Sequence, residues 1–367
     1  MPRFKAEAEI AFANLDRYLD TIIASLSAHN MTLRAEGDGH LVETDFGRAR
    51  LMPGQGVLRL AVEASDPAAF NRLKHDLTGL IDFVARPEHL QIGWTGDAVG
   101  TALPQDLRVL TVHSVTQLTP RMRRITFAGQ DLGRYAVPDQ IHCRLLFQAK
   151  GVTTPRWPEL DDHGRILWPG NDVLPSRIFT IRRIDAAAGR LDIDFVLHDG
   201  AGPGAAWARG AAPGDVVGIL GPAANGPMPA GWYLLAGDET GLPGIARILE
   251  DLPTEAGGVA LIEIADAAEE QVIAAPPELQ IRWLHRGAAA PGTTSLLVDT
   301  LRQVALPADR GDVFAWIGAE YSAFRAMRGF LKAEVGISAD RMIAFSHWRR
   351  GMSEADIVAA GIASVSA

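Results

Sequence analysis

The segment Arg177-Ile178-Phe179-Thr180-Ile181-Arg182-Arg183 places cations, an aromatic ring and a hydroxyl close together. Its β-branched and aromatic content predicts a strand. Side chains two apart share a strand face, so Arg177, Phe179 and Arg183 are expected on one face and Ile178, Thr180 and Arg182 on the other. A flat aromatic beside a cation and a hydroxyl suits an isoalloxazine ring, with Phe179 against the ring and arginine near the phosphates of the same cofactor. The competing reading is a half-buried barrel strand whose arginines pair with surface acids.

A second stretch, His198-Asp199-Gly200-Ala201-Gly202-Pro203-Gly204-Ala205-Ala206-Trp207-Ala208, has glycines where backbone would approach a ligand closely, followed by a plausible helical turn. Backbone N–H groups at such a turn favour an anion like pyrophosphate. Alone it is equally a glycine-rich hairpin loop; following the Arg177 strand, it could help hold both ends of one flavin dinucleotide. A third stretch, Gly237-Asp238-Glu239-Thr240-Gly241-Leu242-Pro243, lies between a predicted strand and helix, where α/β folds bind nucleotides. It lacks GxGxxG, which disfavours an ordinary dehydrogenase site. Gly318-Ala319-Glu320 occupies the matching place after a later strand and would add a second wall, although each loop alone reads first as a plain strand-to-helix turn. Ser346-His347-Trp348-Arg349-Arg350-Gly351 adds an aromatic and two fixed charges suited to a planar or anionic ligand, or else forms a solvated C-terminal face.

The elements that must position these residues follow from the hydrophobic pattern. Residues 1–97 read as a small α+β unit of order αβββαβ: a helix from Asn14 to about Ser27, strands at His40–Thr44, Arg48–Met52 and Val57–Val62, a helix capped by Asp66, and a last strand at Leu90–Trp94. Gly96–Gln105 reads as a linker. Six strand candidates between Leu107 and Leu220 predict an antiparallel β-barrel over residues 105–228, with Gly151–Asp172 as a long surface excursion. From residue 229 to 367, alternating strands and helices predict a doubly wound parallel sheet with a C-terminal tail. The fold class is therefore multi-domain, α+β and α/β.

Composition narrows the function. Forty-four acids against thirty-five bases give a net charge of −9, which offers no global attraction for nucleic acid. The single cysteine, Cys143, rules out an intrachain disulfide framework. No HExxH, cysteine pair or carboxylate cluster suggests a protein-bound metal, and no G-x-S-x-G elbow suggests a serine hydrolase. The acidic N-terminus does not read as a signal peptide and no apolar run is long enough to span a bilayer, so a cytoplasmic protein is expected.

In order, Leu118–Gly129, His142–Leu145, Arg177–Arg182, His198–Ala208, Gly237–Pro243 and His347–Gly351 resemble the siderophore-interacting proteins. These are FAD-dependent ferric-siderophore reductases of the ferredoxin-reductase-like superfamily. Residues 1–97 resemble a domain of unknown function found before this module. The resemblance implies an FAD-binding barrel followed by a nicotinamide-nucleotide domain. It matches Arg177, Phe179 and Thr180 to the family's flavin-holding Arg-x-Tyr-Thr/Ser segment, and Gly202, Pro203, Ala205 and Trp207 to its phosphate-side loop. Ile181 and His198 adjoin these, and Asp238, Glu239, Thr240 and Glu320 are the expected nucleotide-side contacts. Phe179 replaces the usual tyrosine, and His347 stands where tyrosine is common.

The implied reaction passes electrons from NADH or NADPH through FAD to a ferric siderophore or other ferric chelate, with a ferredoxin as a possible electron source. Arg144, Arg349 and Arg350 are candidates for attracting an anionic chelate. A general NAD(P)H:acceptor flavin reductase and a non-enzymatic siderophore-binding module are the alternatives.

Overall fold

The computed structural model describes residues 4–28, 31–152, 154–171, 173–198, 202–223 and 226–352. The expected C-terminal tail lies outside the described residues from 353 onward. The chain forms two compact units, Met1–Leu107 with Thr153–Leu174, and Arg108–Val152 with Pro175–Ala367.

The first unit opens with β1 (Phe4–Ala11), followed by α1 (Leu15–Ala28), β2 (Thr32–Glu36), β3 (Gly39–Thr44), β4 (Gly47–Gly54), β5 (Val57–Ala64), α2 (Pro67–Val84) and the short β6 (Thr95–Gly96). Its sheet has the order β2-β3-β4-β5-β1-β6. The expected αβββαβ thus omits β1 and β2. In β1, Ala6, Ala8 and Ile10 point inward between exposed Lys5, Glu7 and Glu9, a period-2 pattern carried largely by residues of low strand propensity. Leu90–Trp94 is not a strand; its expected place falls just before β6. Asp66 caps α2, accepting from Ala69 N–H, with Pro67 in the first turn. Ala69, Phe70, Leu73, Leu77 and Ile81 form the buried stripe of α2.

The second unit begins with β7 (Arg108–Thr119), β8 (Met122–Ala128) and β9 (His142–Phe147). The chain then makes a small hairpin, β10 (Glu159–Leu160) and β11 (Ile166–Leu167), which belongs to the first unit. The expected surface excursion is therefore packed structure over this part: Leu160 is buried and exchanges backbone hydrogen bonds with Ala102. The barrel sheet resumes with β12 (Ser176–Thr180), β13 (Arg183–Asp185), β14 (Arg190–Val196), α3 (Pro203–Gly210) and β15 (Val216–Ala223), in the order β12-β9-β15-β7-β8-β14-β13. Inward residues such as Leu110, Phe127, Leu145, Ile193 and Ile219 fill its core.

The α/β part comprises β16 (Trp232–Gly237), α4 (Leu242–Asp251), β17 (Gly257–Ile264), β18 (Leu279–His285), α5 (Leu296–Arg302), β19 (Val313–Gly318), α6 (Tyr321–Phe330) and β20 (Met342–Phe345). The five strands are parallel, in the order β18-β17-β16-β19-β20. The order reverses beside β16, so the loops after β16 and β19 flank a switch point, where ligands of such sheets bind.

Polar bonds join the barrel to this sheet. Arg182 is bidentate on Glu250 at 2.6 and 2.7 Å, and Arg183 reaches the same carboxylate. Buried Arg247 donates to the carbonyls of Ile181 and Val137, and Thr119 donates to buried Glu269. Burial raises the Glu250 carboxyl, but the hydrogen bonds and charges of the two arginines outweigh it and bring it down to about 2.

Candidate functional site

Strand register sorts the Arg177 segment. In the β12–β9 ladder, Arg177 pairs with Leu145, Ile178 with Arg144, Phe179 with Cys143 and Thr180 with His142. Directly opposite residues share a face, so Arg177 and Phe179 lie on the side of buried Leu145 and Cys143, while Thr180 lies beside His142 and Ile178 beside Arg144. The strand breaks after Thr180 and resumes at Arg183, so the expected alternation through Arg183 does not hold.

Phe179 is half-buried, its ring centroid 4.5 Å from that of Phe195 and 6.2 Å from that of Phe147. Its outer edge meets the start of α3: a Cβ on Gly204 would lie 2.8 Å from Phe179 Cζ and 3.7 Å from Arg177 Cγ. Glycine is what lets the ring and the helix start approach this closely. Gly202 caps α3 with Pro203 in the first turn, Ala205 is buried, and Trp207 packs α3 onto Phe127, Phe147 and Phe195. His198 is exposed, with its carbonyl accepting from Arg209, while Asp199, Gly200 and Ala201 lie outside the described residues. Ile181 is fully buried in the barrel core; its N–H donates to Ile141 and its carbonyl accepts from Arg247, so its contacts are structural.

The opposite face of β9 and β12 meets the α/β part in an aromatic group. The His142 ring stacks on Trp316 at 6.5 Å, and lies 5.0 Å from Phe345 and 5.5 Å from His347. Gly244 of α4 brings Thr180 and Trp316 together, since a Cβ there would sit 2.6 Å from Trp316 and 3.6 Å from Thr180 Oγ1. His347 is exposed, but its ring packs on His142 and Phe345, and desolvation there, with His142 and Arg144 adding like charge, lowers its imidazolium. His142 belongs to a family-like stretch, whereas Trp316 and Phe345 lie in no motif; the elements carrying them meet only in the folded chain.

At the switch point, buried Asp238 accepts from Thr240 N–H and Oγ1 at 2.8 and 2.6 Å, from Glu320 N–H at 2.8 Å and from the Trp348 indole at 2.9 Å. Glu320 caps α6 through Ser322 N–H and accepts from Arg350 N–H. Buried Glu239 pairs with Arg286, and buried Glu263 accepts from Thr294 at 2.8 Å. Desolvation raises both the Glu239 and Glu263 carboxyls, offset for Glu239 by Arg286 and for Glu263 by Thr294. Arg286 Nε and Nη1 are buried without a hydrogen-bond partner among the described residues. Glu263, Thr294 and Arg286 lie in no sequence motif, and the fold alone brings them to the switch point.

The arginines expected at the substrate separate into different settings. Half-buried Arg144 donates to Ser176 Oγ at 2.9 Å and acts electrostatically on His347. Arg349 lies 4.6 Å above the Tyr321 ring, and Arg350 is exposed.

Comparison with known proteins agrees with this architecture. Residues 230–351 match the family model described as siderophore-interacting protein, and residues 111–226 match the siderophore-interacting FAD-binding domain. Residues 7–95 match a domain described as an uncharacterized protein conserved in bacteria. The chain is 32% identical over 254 residues to ferric vibriobactin reductase ViuB of Vibrio cholerae, covering 67% of this chain and 91% of that protein. It is 31% identical over 249 residues to the NADPH-dependent ferric-chelate reductase of Escherichia coli, covering 66% and 92%. A siderophore utilization protein from T. fusca shares the fold with a TM-score of 0.61 and 39% identity, over 71% of this chain and 97% of that one. The barrel, the parallel sheet and the long matches in both domains together show that the chain belongs to the siderophore-interacting protein family.

Proposed function

We propose that this chain is an FAD-dependent reductase that takes electrons from NADH or NADPH and reduces the iron of a ferric siderophore or related chelate. The observation that carries the reading is the arrangement around β12: Arg177 and Phe179 converge on the start of α3 on one face, and Thr180 faces the nucleotide-type α/β part on the other. The donor set fits FAD. Arg177 and the first-turn N–H groups of α3 suit a pyrophosphate, the Gly204 cradle leaves room beside Phe179, and Thr180 offers a hydroxyl to a polar ring edge. His198, Gly202, Pro203, Ala205 and Trp207 shape this side, with Trp207 seating the helix. Ile181 acts through the core.

On the nucleotide side, Asp238, Glu239, Thr240 and Glu320 border the switch point, and Trp348 closes it through its bond to Asp238. The unpartnered nitrogens of Arg286 offer a buried cation to a polar group of NADH or NADPH. FAD supplies the conversion of one hydride into two single-electron transfers. The balance is one NAD(P)H and two Fe(III) giving NAD(P)+, a proton and two Fe(II). Fe(II) binds hard anionic oxygen ligands less tightly than Fe(III), so the chelate loosens on reduction. Arg144, Arg349 and Arg350 draw the anionic chelate in, because guanidinium stays charged at any working pH.

A cytoplasmic location and an alternative supply of electrons from a ferredoxin belong to this proposal. No helix among the described residues is long and apolar enough to cross a membrane. The test is anaerobic: purified protein loaded with FAD is mixed with NADH or NADPH, then with ferric chelates in the presence of a trap for Fe(II). Flavin that bleaches and is reoxidised with Fe(II) release supports the reading; flavin that no ferric chelate reoxidises contradicts it.

A further inference from the structure

We propose that the N-terminal domain is an intramolecular receptor for the β10–β11 hairpin, and that by holding it the domain restrains the connection between β9 and β12. The flavin half of this inference rests on the reading of Arg177, Phe179 and Thr180 given above.

Helix α2 presents Asn71, Lys74 and His75 at spacings that share one helix face. Each meets a backbone carbonyl of the hairpin, and the carbonyls belong to alternate residues. Asn71 Nδ2 donates to Leu160 at 3.3 Å, Lys74 Nζ to Asp162 at 2.7 Å, and His75 Nδ1 lies 2.7 Å from the Gly164 oxygen. Asn71 and Lys74 are 0% and 1% exposed, which is costly for an amide and an ammonium unless a partner arrives. Lys74 also lies 3.9 Å from the Phe70 ring centroid, and its pKa is lowered by desolvation. A helix face built only to pack on its own sheet has no use for a buried ammonium; this one is satisfied by the hairpin.

The segment expected to be a linker completes the grip. Val99 and Gly100 N–H donate to the Asp162 carboxylate, and Ala102 and Leu160 exchange hydrogen bonds at 3.0 and 2.7 Å. Gly164, at φ +72°, lies directly against α2, where a Cβ would come within 2.5 Å of His75 N and 2.8 Å of the Lys74 carbonyl carbon. Recognition is aimed at backbone, so it reads the shape of the hairpin more than its side chains.

The hairpin falls inside the region matching the FAD-binding domain, whereas α2 falls inside the uncharacterized N-terminal match. The hairpin is continuous in the chain with β9, which carries Arg144, and with β12, which carries Arg177, Phe179 and Thr180. Pinning its middle divides one long connection into two shorter ones and removes conformational freedom from both. This gives the N-terminal domain a positioning role.

Hydrogen exchange on the full-length protein, paired with the rate of flavin release, tests the inference. Gly164→Ala pushes the hairpin from α2 without altering the core of the N-terminal domain, and Lys74→Met removes the ammonium from the other side. Both are expected to speed exchange over 97–102 and 159–167 by about tenfold or more, with β1, β4 and β5 still protected, and to speed flavin release severalfold. Unchanged exchange in both variants overturns the receptor, and faster exchange with unchanged flavin release overturns the restraint. A chain that takes up no flavin in any form fails the functional reading and the restraint with it, while exchange still decides the receptor.

Discussion

Asp238 Oδ2 accepts the Trp348 indole N–H at 2.9 Å, joining the loop after the first strand of the parallel sheet to the segment after the last. The same oxygen accepts Glu320 N–H, so one buried carboxylate gathers three loops at the switch point. Asp238→Ala leaves both donors without their acceptor and is expected to cost about 1–3 kcal/mol, the usual penalty for stranded buried groups. Flavin content should stay near wild type while KM for the nicotinamide nucleotide rises at least about tenfold, equivalent to about 1.4 kcal/mol of binding. Thermal melts and anaerobic flavin bleaching measure the two effects.

Gly204→Ala drives a methyl group to within 2.8 Å of Phe179 Cζ, at the junction of β12 and α3. The expected outcome is FAD retention weakened by about tenfold or more with little change in Tm, because off-rotamer strain costs only about 1 kcal/mol. Gly210→Ala is the control: at the far end of α3 its methyl meets only the flexible tip of Lys150. Flavin fluorescence after gel filtration reads both variants.

Glu250 links acid stability to the bond between the barrel and the parallel sheet. Its carboxyl, held at about 2 against an ordinary 4.5, contributes stability that is complete above pH 4.5 and lost as pH falls toward 2. Glu250→Gln leaves buried Arg182 without its bidentate partner and is expected to cost about 3 kcal/mol at neutral pH. The variant should also lose much of the wild-type slope of Tm against pH between 4.5 and 2.

His347 is expected to titrate below an ordinary histidine, because packing on its ring and the like charge of His142 and Arg144 disfavour its imidazolium. Its ring resonances in labelled protein should move at lower pH than those of an ordinary histidine. Arg144→Ala removes one of the charges responsible, and the resonances should then begin to move at higher pH than in wild type.

Periodicity made the parallel sheet legible: its five strands fall within the stretch from residue 229 where alternating strands and helices are expected, because apolar runs alternating with amphipathic helices carry a strong signal. β1 was hidden because its inward positions are mostly alanine and its outward ones lysine and glutamate. Arg177 and Phe179 were rightly placed on one face, but alternation cannot say which face is the core; pairing with Cys143 and Leu145 decides it. The His142–Trp316–Phe345–His347 group depends on strand ends from two sheets meeting, which no local pattern encodes.

The central claim, that electrons pass from a nicotinamide nucleotide through FAD to chelated Fe(III), is tested most directly by anaerobic stoichiometry. Protein loaded with FAD, given a limiting amount of NADH or NADPH and an excess of ferric siderophore, should yield two trapped Fe(II) per nucleotide consumed. Nucleotide oxidation with no Fe(II) trapped from any ferric chelate would contradict it.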